Sequence, residues 1–351
     1  MIERPANPKE NGQRIRSGIR AVLLNEGSKT KAELSERLGI SFPTASKFLT
    51  LMENDGELSL VGLDESSGGR RAQRYAYNPD YRLGLAVILE KTETYFTLYN
   101  GFGEIKDADV TSSFLTEGVE KLAAFVESVV DSHPSVGALA IGVPASVDNG
   151  RIIYTPGYET YRGFDLKRYL EARFSIPVLV ENDMNAAVRG YYKKRSIASP
   201  PTMVYLYFGQ NGPGAGILVN GDVVRGSTFF AGEVSFVPQY DDRNFLQALT
   251  GSEASGSPRW NEGDGVDAVG RLVAAISAIL NPDTFIFSDN EVDPILLESI
   301  AQRSAAYFPR EHLPKLTASD WKEDYLYGLR QLGIELMIAA PARSDRIGSE
   351  R

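Results

Sequence analysis

Cysteine is absent from the 351 residues, which removes disulfide frameworks, thiolate catalysis and cysteine-ligated zinc together. Histidine is nearly absent: His133 and His312 are the only two and lie far apart, so neither a histidine-rich metal site nor a Ser-His-Asp triad is expected. No apolar run approaches the ~18 residues that a membrane-spanning helix needs. The opening stretch, MIERPANPKENGQRIRSG, lacks the apolar core and small-residue cleavage site of a secretion signal, so a cytoplasmic location is expected. Positive charge is scarce too. The formal net charge of −9 argues against non-specific nucleic-acid binding by the chain as a whole. What remains, 42% hydrophobic and 24% charged residues, suits a globular chain of about two to three domains.

The acidic excess is unevenly placed. Residues 1–80 carry 12 Lys+Arg against 11 Asp+Glu, whereas residues 81–351 carry 25 against 35. In the first part, three short helical patterns follow one another. Over residues 11–26, Ile15, Ile19, Val22 and Leu23 fall on one helical face, and Gly27 ends the pattern. Thr30 with Glu33 three residues on forms a capping box for a second helix that Gly39 closes. A third helix opens at Ser41 with Pro43 in its first turn, and Phe48, Leu51 and Met52 are expected to face inward. Two helices joined by a tight Gly-Ile-Ser turn are the helix-turn-helix arrangement, which lays its second helix in the major groove. Ser41, Thr44, Ala45, Ser46 and Lys47 are then the residues expected to meet DNA.

Two strand patterns follow, ELSLVG and RYAYN, around a polar tip holding Gly68, Gly69, Arg70 and Arg71, with Arg74 just beyond. A hairpin wing that tracks phosphates or the minor groove is the expected reading of this segment. The expectation for residues 1–80 is a winged helix-turn-helix DNA-binding domain, the alternative being a three-helix interaction domain with a charged loop. Asn78-Pro79 marks its end.

From residue 81 strand and helix patterns alternate, as in an α/β architecture. Strands are expected in LGLAVILEKTETYFTLYN, GALAIGV, PVLVEN, MVYLYFG and TFIFSD, and helices over 117–132, in DMNAAVRGYY, GVDAVGRLVAAISAIL and PILLESIAQRSAAYF. Three junctions are able to carry chemistry. Glu181-Asn182-Asp183 lies at a strand end before a helix, where ligands of α/β sheets bind, and where Asn182 or Asp183 equally serves as a helix cap. The turn GQNGPGAG (209–216) offers backbone N–H groups to a phosphate, or makes an ordinary hairpin. Glu233 follows two small residues and either enters a cleft or stays exposed.

The order GVPASVDNGRIIYTP, PVLVENDMNAA, GPGAGILVNGDVVRG, AGE and LNPDTFIF, after a GGRR wing, resembles the ROK family (repressor, open reading frame, kinase), specifically its transcriptional-regulator branch. The resemblance spans about residues 11–340. It implies an α/β chain with an N-terminal winged helix-turn-helix followed, over residues 81–351, by two actin-like, ribonuclease-H-like lobes of the sugar-kinase fold. It further implies a sugar or sugar-derivative effector bound by Asn182, Asp183, Glu233 and the strand end at Pro144, and operator DNA bound by a homodimer or homotetramer, with repression of carbohydrate genes the expected sign.

The departures from the family pattern bear on activity. Where kinases carry an Asp-x-Gly-x-Thr phosphate loop, Leu85–Thr92 has neither the glycine nor the Asp, and the late strand ends in Ser288-Asp289-Asn290 in place of Gly-Gly. A sugar kinase with an added DNA-binding head is thus the disfavoured alternative, and no catalytic residue or cofactor is expected. Phe236 stands where relatives place a zinc-binding and sugar-contacting histidine, so no metal is expected and the sugar set is incomplete. A regulator whose cleft holds no sugar is a third reading. Tyr158, Tyr161 and Phe164 are candidates for stacking on a pyranose, or for core.

Overall fold

The computed structural model describes residues 8–63, 71–195, 197, 199–240, 242–250 and 263–341. The chain opens with α1 (Pro8–Glu26), the short β1 (Lys29–Thr30), α2 (Lys31–Leu38), α3 (Phe42–Asn54) and the antiparallel pair β2 (Leu58–Leu63) and β3 (Gln73–Tyr77), in sheet order β1-β3-β2. Local chemistry sets the helix ends. Thr30 Oγ1 accepts from the Glu33 N–H at 3.2 Å while the Glu33 carboxylate accepts from the Thr30 N–H at 2.6 Å, and Gly39 takes the left-handed φ of 62° that stops α2. Ile19, Leu23, Leu34, Leu49, Met52, Tyr75 and Tyr77 form the core of this unit.

The inward stripe of α3 differs from the expectation. It runs Ala45, Leu49, Met52, all fully buried, while Leu51 is 39% exposed. At 100° per residue Leu51 points about 120° away from Ala45, so both cannot face the same core. Ala45, expected at DNA, is therefore packed inside the unit. The wing glycines Gly68 and Gly69, and Arg70, lie outside the described residues.

Two five-stranded sheets follow, and they repeat one pattern. The first contains β4 (Leu83–Leu89), β5 (Glu93–Tyr99), β6 (Ile105–Ser112), β7 (Val136–Val143) and β10 (Val178–Asn182), ordered β6-β5-β4-β7-β10. Between them come α4 (Phe114–Glu117), α5 (Val119–Ser132), the small hairpin β8 (Ser146–Asp148) and β9 (Arg151–Tyr154), and α6 (Leu166–Phe174). The helix α7 (Asp183–Lys194) leads on to the second sheet of β11 (Met203–Tyr207), β12 (Gly214–Val219), β13 (Asp222–Val223), β16 (Thr284–Ser288) and β17 (Lys315–Ser319), ordered β13-β12-β11-β16-β17. Its insertions are β14 (Pro238–Tyr240), β15 (Arg243–Asn244), α8 (Phe245–Thr250), α9 (Asp264–Leu280) and α10 (Pro294–Ser304), and α11 (Trp321–Ala339) ends the fold. In each sheet three antiparallel strands continue into two parallel ones.

The helices α7 and α11 lie between the two sheets. Their apolar faces share one core with Ala86, Ile88, Ala138 and Ala140 of the first sheet and Met203, Tyr205 and Ile286 of the second. Glycines permit this close crossing: a Cβ on Gly190 would lie 1.8 Å from Asp324 O, and one on Gly328 would lie 1.9 Å from Ala186 O. The far end of α11 reaches the N-terminal unit. Arg20 of α1, buried and paired with buried Glu57, donates to Ile338 O at 3.1 Å and Ala340 O at 2.6 Å, Gln13 to Ala339 O at 3.2 Å, and Arg82 to Pro341 O. These donors satisfy carbonyls that a helix C-terminus leaves unpaired. The expected boundary at residue 80 thus separates the sequence but not the packing.

Candidate functional site

The four residues expected to bind sugar line one cleft between the two sheets. Pro144 follows β7, Asn182 ends β10, Asp183 begins α7, and Glu233 comes from the loop after β13, so only folding brings Glu233 to the others. Asn182 is the N-cap of α7: its Oδ1 accepts from the Asn185 N–H at 2.9 Å, while its Nδ2 donates to Ala145 O at 3.1 Å and to Asp183 Oδ1 at 2.9 Å. The cap and the site are therefore the same residue. Asp183 Oδ1 also accepts from the Met184 N–H at 2.8 Å, which leaves Oδ2 without a protein partner among the described residues.

Electrostatics in the cleft are unusual for carboxylates. Burial raises Asp183 to about 7, opposed by the Met184 N–H and reinforced by the negative charge of Glu233. Burial also raises Glu233, although the Ser146 hydroxyl, donating at 2.7 Å, offsets part of that. Behind them burial, then the charges of Asp183 and Glu93, push Glu90 to about 8. Glu181 is buried but paired, accepting from Arg225, from the Asn182 N–H at 3.0 Å and from Asn185 Nδ2 at 3.2 Å. A carboxyl that titrates near neutrality beside amides and a hydroxyl can accept from, or donate to, the hydroxyls of a polyol.

Sequence reasoning missed the aromatic part of this cleft. Tyr161 is buried, its hydroxyl donating to Phe114 O at 2.8 Å, and Phe164 packs on Tyr169, so both serve the core, whereas Tyr158 is half-buried and donates to Asn211 at 3.3 Å. The rings at the cleft are instead Tyr154, Tyr207, Phe229 and Phe236. At the 209–216 turn, backbone groups are already engaged at both ends. The Phe208 and Gly209 N–H groups donate to the buried Glu291 carboxylate at 3.1 and 3.2 Å, and Gly216 lets β12 approach α7, where a Cβ would meet Met184 O at 2.1 Å. Beyond Asp183, the Tyr207 ring stacks on Trp321 at 4.0 Å and 13°, beside Glu90, Glu93 and Asp289. Among the described residues no cluster of His, Asp and Glu is placed to hold a metal, and no helix is long and apolar enough to cross a membrane.

At the N-terminal unit the exposed surface of α3 carries Ser41 and Lys47, with Thr44 and Ser46 partly covered. Ser41 caps the helix by accepting from the Thr44 N–H at 3.2 Å, and Ser46 accepts from Lys31 Nζ at 3.1 Å. Arg71 is exposed. Arg74 turns inward to Ser28 O at 2.7 Å and to Glu33 at 3.3 Å, so its expected phosphate contact competes with interactions within the unit. Phe42, 54% exposed at the first turn of α3, was not anticipated at this surface. With Thr30, Lys31, Arg71 and Gln73 it lines a groove between the helices and the hairpin.

Two α/β lobes of repeated topology thus flank a cleft that Asp183 and Glu233 line. Residues 91–244 match the model described as the ROK family. A ROK family transcriptional regulator, a homologue of the E. coli MLC protein, superposes with a TM-score of 0.70 at 16% identity, covering 93% of this chain and 98% of that one. A ROK family glucokinase from Streptomyces griseus, in complex with glucose and AMPPNP, superposes with a TM-score of 0.54 at 20% identity, covering 72% and 99%. The xylose repressor of Bacillus spizizenii is 25% identical over 223 residues, 60% of this chain and 57% of that protein. The chain thus spans little more than half the length of that curated relative.

Proposed function

We propose that the chain is a sugar-responsive transcriptional repressor that binds operator DNA through residues 1–80 and is not an enzyme. The observation that carries this reading is the convergence of Pro144, Asn182, Asp183 and Glu233 on one cleft whose helix α7 crosses α11, the helix that Arg20 ties to α1. A sugar that draws the lobes together moves α7 against α11, and the rigid α11 carries the shift to the N-terminal unit. Such coupling amounts to about 1–3 kcal/mol. In a homodimer it changes the spacing of two α3 helices relative to half-sites a whole number of helical turns apart. Ser41, Thr44, Ser46 and Lys47 face the groove, and Arg70 and Arg71 the phosphates.

A sugar kinase is the second reading, favoured by the partnerless Asp183 Oδ2 and a carboxyl that titrates near 7, as a base requires. Glu291 already accepts from the Phe208 and Gly209 N–H groups at the start of the glycine turn, which favours the repressor. The test is fluorescence anisotropy of the full chain on DNA selected from a random pool, with and without sugars, alongside a coupled ATP-turnover assay. Selective DNA binding that a sugar weakens is expected. Sugar phosphorylation abolished by Asp183→Asn overturns the assignment.

A further inference from the structure

Beside the cleft three rings gather from separate segments: Tyr154 and Phe236 line it, and Phe230 packs against both. Tyr154 comes from the end of β9, and Phe230 and Phe236 come from either side of Glu233. Their centroids are 5.4 Å (Tyr154–Phe230), 6.2 Å (Tyr154–Phe236) and 5.5 Å (Phe230–Phe236) apart. None belongs to a hydrophobic core cluster, and Phe236 and Phe230 are 50% and 37% exposed. Three aromatic rings packed on one another in water, contributing nothing to a core, form an apolar patch whose use lies outside the fold.

The patch is continuous with the polar floor. Tyr154 pairs with Ser146 across the β8–β9 hairpin, and Ser146 donates to Glu233, so the rings begin one side chain away from the acid. The loop between holds Phe229 at φ 59°, a left-handed conformation that a bulky side chain adopts only when its surroundings impose it. That turn sets Phe230 against Tyr154 and Phe236 and brings Glu233 into the cleft they border.

We infer that Tyr154, Phe230 and Phe236 form a second subsite, and that the ligand of this cleft is a two-ring glycoside, a disaccharide or an aryl glycoside, in preference to a free monosaccharide. The inference rests on the sugar reading of the floor. Asn182, Asp183 and Glu233 take the hydroxyls of the first ring. The second ring, apolar on its C–H or aryl face, lies on the electron-rich faces of the phenylalanines. A polar floor with an aromatic rim matches an amphipathic ligand of that length.

The test is titration calorimetry of the full chain with methyl and phenyl β-D-glucoside, the corresponding β-D-xylosides, cellobiose, xylobiose and the free monosaccharides. The phenyl glycoside or the disaccharide is expected to bind roughly three- to tenfold more tightly than the methyl glycoside of the same sugar. Phe236→Ala and the milder Phe236→Leu are expected to erase that ratio. Equal affinities in the unaltered chain, or a ratio that survives Phe230→Ala with Phe236→Ala, overturn the subsite. So does a change of oligomeric state on sedimentation of these variants, which would assign the rings to an interface between copies. Silence toward every sugar, monosaccharides included, refutes the sensor reading itself and is distinguishable on that ground.

Discussion

Gly328 offers the sharpest test of the packing between the cleft and the N-terminal unit. It sits in the middle of α11, where α7 crosses, and a Cβ there would lie 1.9 Å from Ala186 O and 2.9 Å from Gly190 N. Real Cβ atoms essentially never come within 3.0 Å of such atoms, so Gly328→Ala must push the helices apart by more than 1 Å. Overpacking of this kind costs about 1–3 kcal/mol, and the dispersion lost along the opened seam keeps it toward the upper end. Alanine returns about 0.5–1 kcal/mol through its better helix propensity. The net loss is about 2 kcal/mol, or roughly 4–8 °C in melting midpoint. Gly12→Ala in α1 is the matched control. Its Cβ would meet Phe48 at 3.6 Å, an ordinary contact, so only the propensity gain applies and stability is expected to rise. Calorimetric melts of both variants decide the matter. A Gly328→Ala midpoint at or above that of the unaltered chain refutes the close crossing.

Stability should also fall as pH rises. Asp183 and Glu291, at about 7, and Glu90, at about 8, all titrate well above the 3.8 and 4.5 of exposed carboxyls, so between roughly pH 4 and 8 the folded chain binds more protons than the unfolded one. A melting midpoint higher at pH 5 than at pH 8, with a shallower slope in Asp183→Asn, is the expected result; a midpoint that climbs with pH contradicts it. Arg20→Ala leaves buried Glu57 with only the 3.8 Å contact of Arg16 and frees two carbonyls of the α11 end, a loss of about 3 kcal/mol measurable by urea denaturation. Under the DNA-binding proposal, Arg71→Ala should weaken binding to all sequences alike and lower the salt slope by about one unit. A change confined to one base position would instead make Arg71 a base reader.

Much of the chain was legible before folding because its signals are local. The capping box of Thr30 and Glu33, the stop at Gly39, and Ser41 and Pro43 at the start of α3 all act within one helical turn. The strand end at Asn182 leading into α7 was legible for the same reason. The missed elements lacked such signals. β6 (IKDADVTS) is an exposed edge strand with no apolar alternation, held by its ladder to β5. α11 is buried on several sides between two sheets and carries two glycines, so no single apolar stripe marks it. The burial of Ala45 and the inward contacts of Arg74 were not legible because the direction of a side chain depends on what packs against it.

By its residues alone this chain determined its element boundaries, its charge division at residue 80, and a strand-end Asn-Asp pair able to meet hydroxyls. Only the tertiary structure decided that Pro144 and Glu233 join that pair, that Glu291 meets the Phe208 and Gly209 amides, that Tyr154, Phe230 and Phe236 pack together beside the cleft, and that the end of α11 is held by α1. The physical reason is range. Caps, turns and periodicity act over a few bonds, whereas a cleft, a raised pKa and a helix crossing come from groups tens to hundreds of residues apart that meet only once both sheets are closed around α7 and α11.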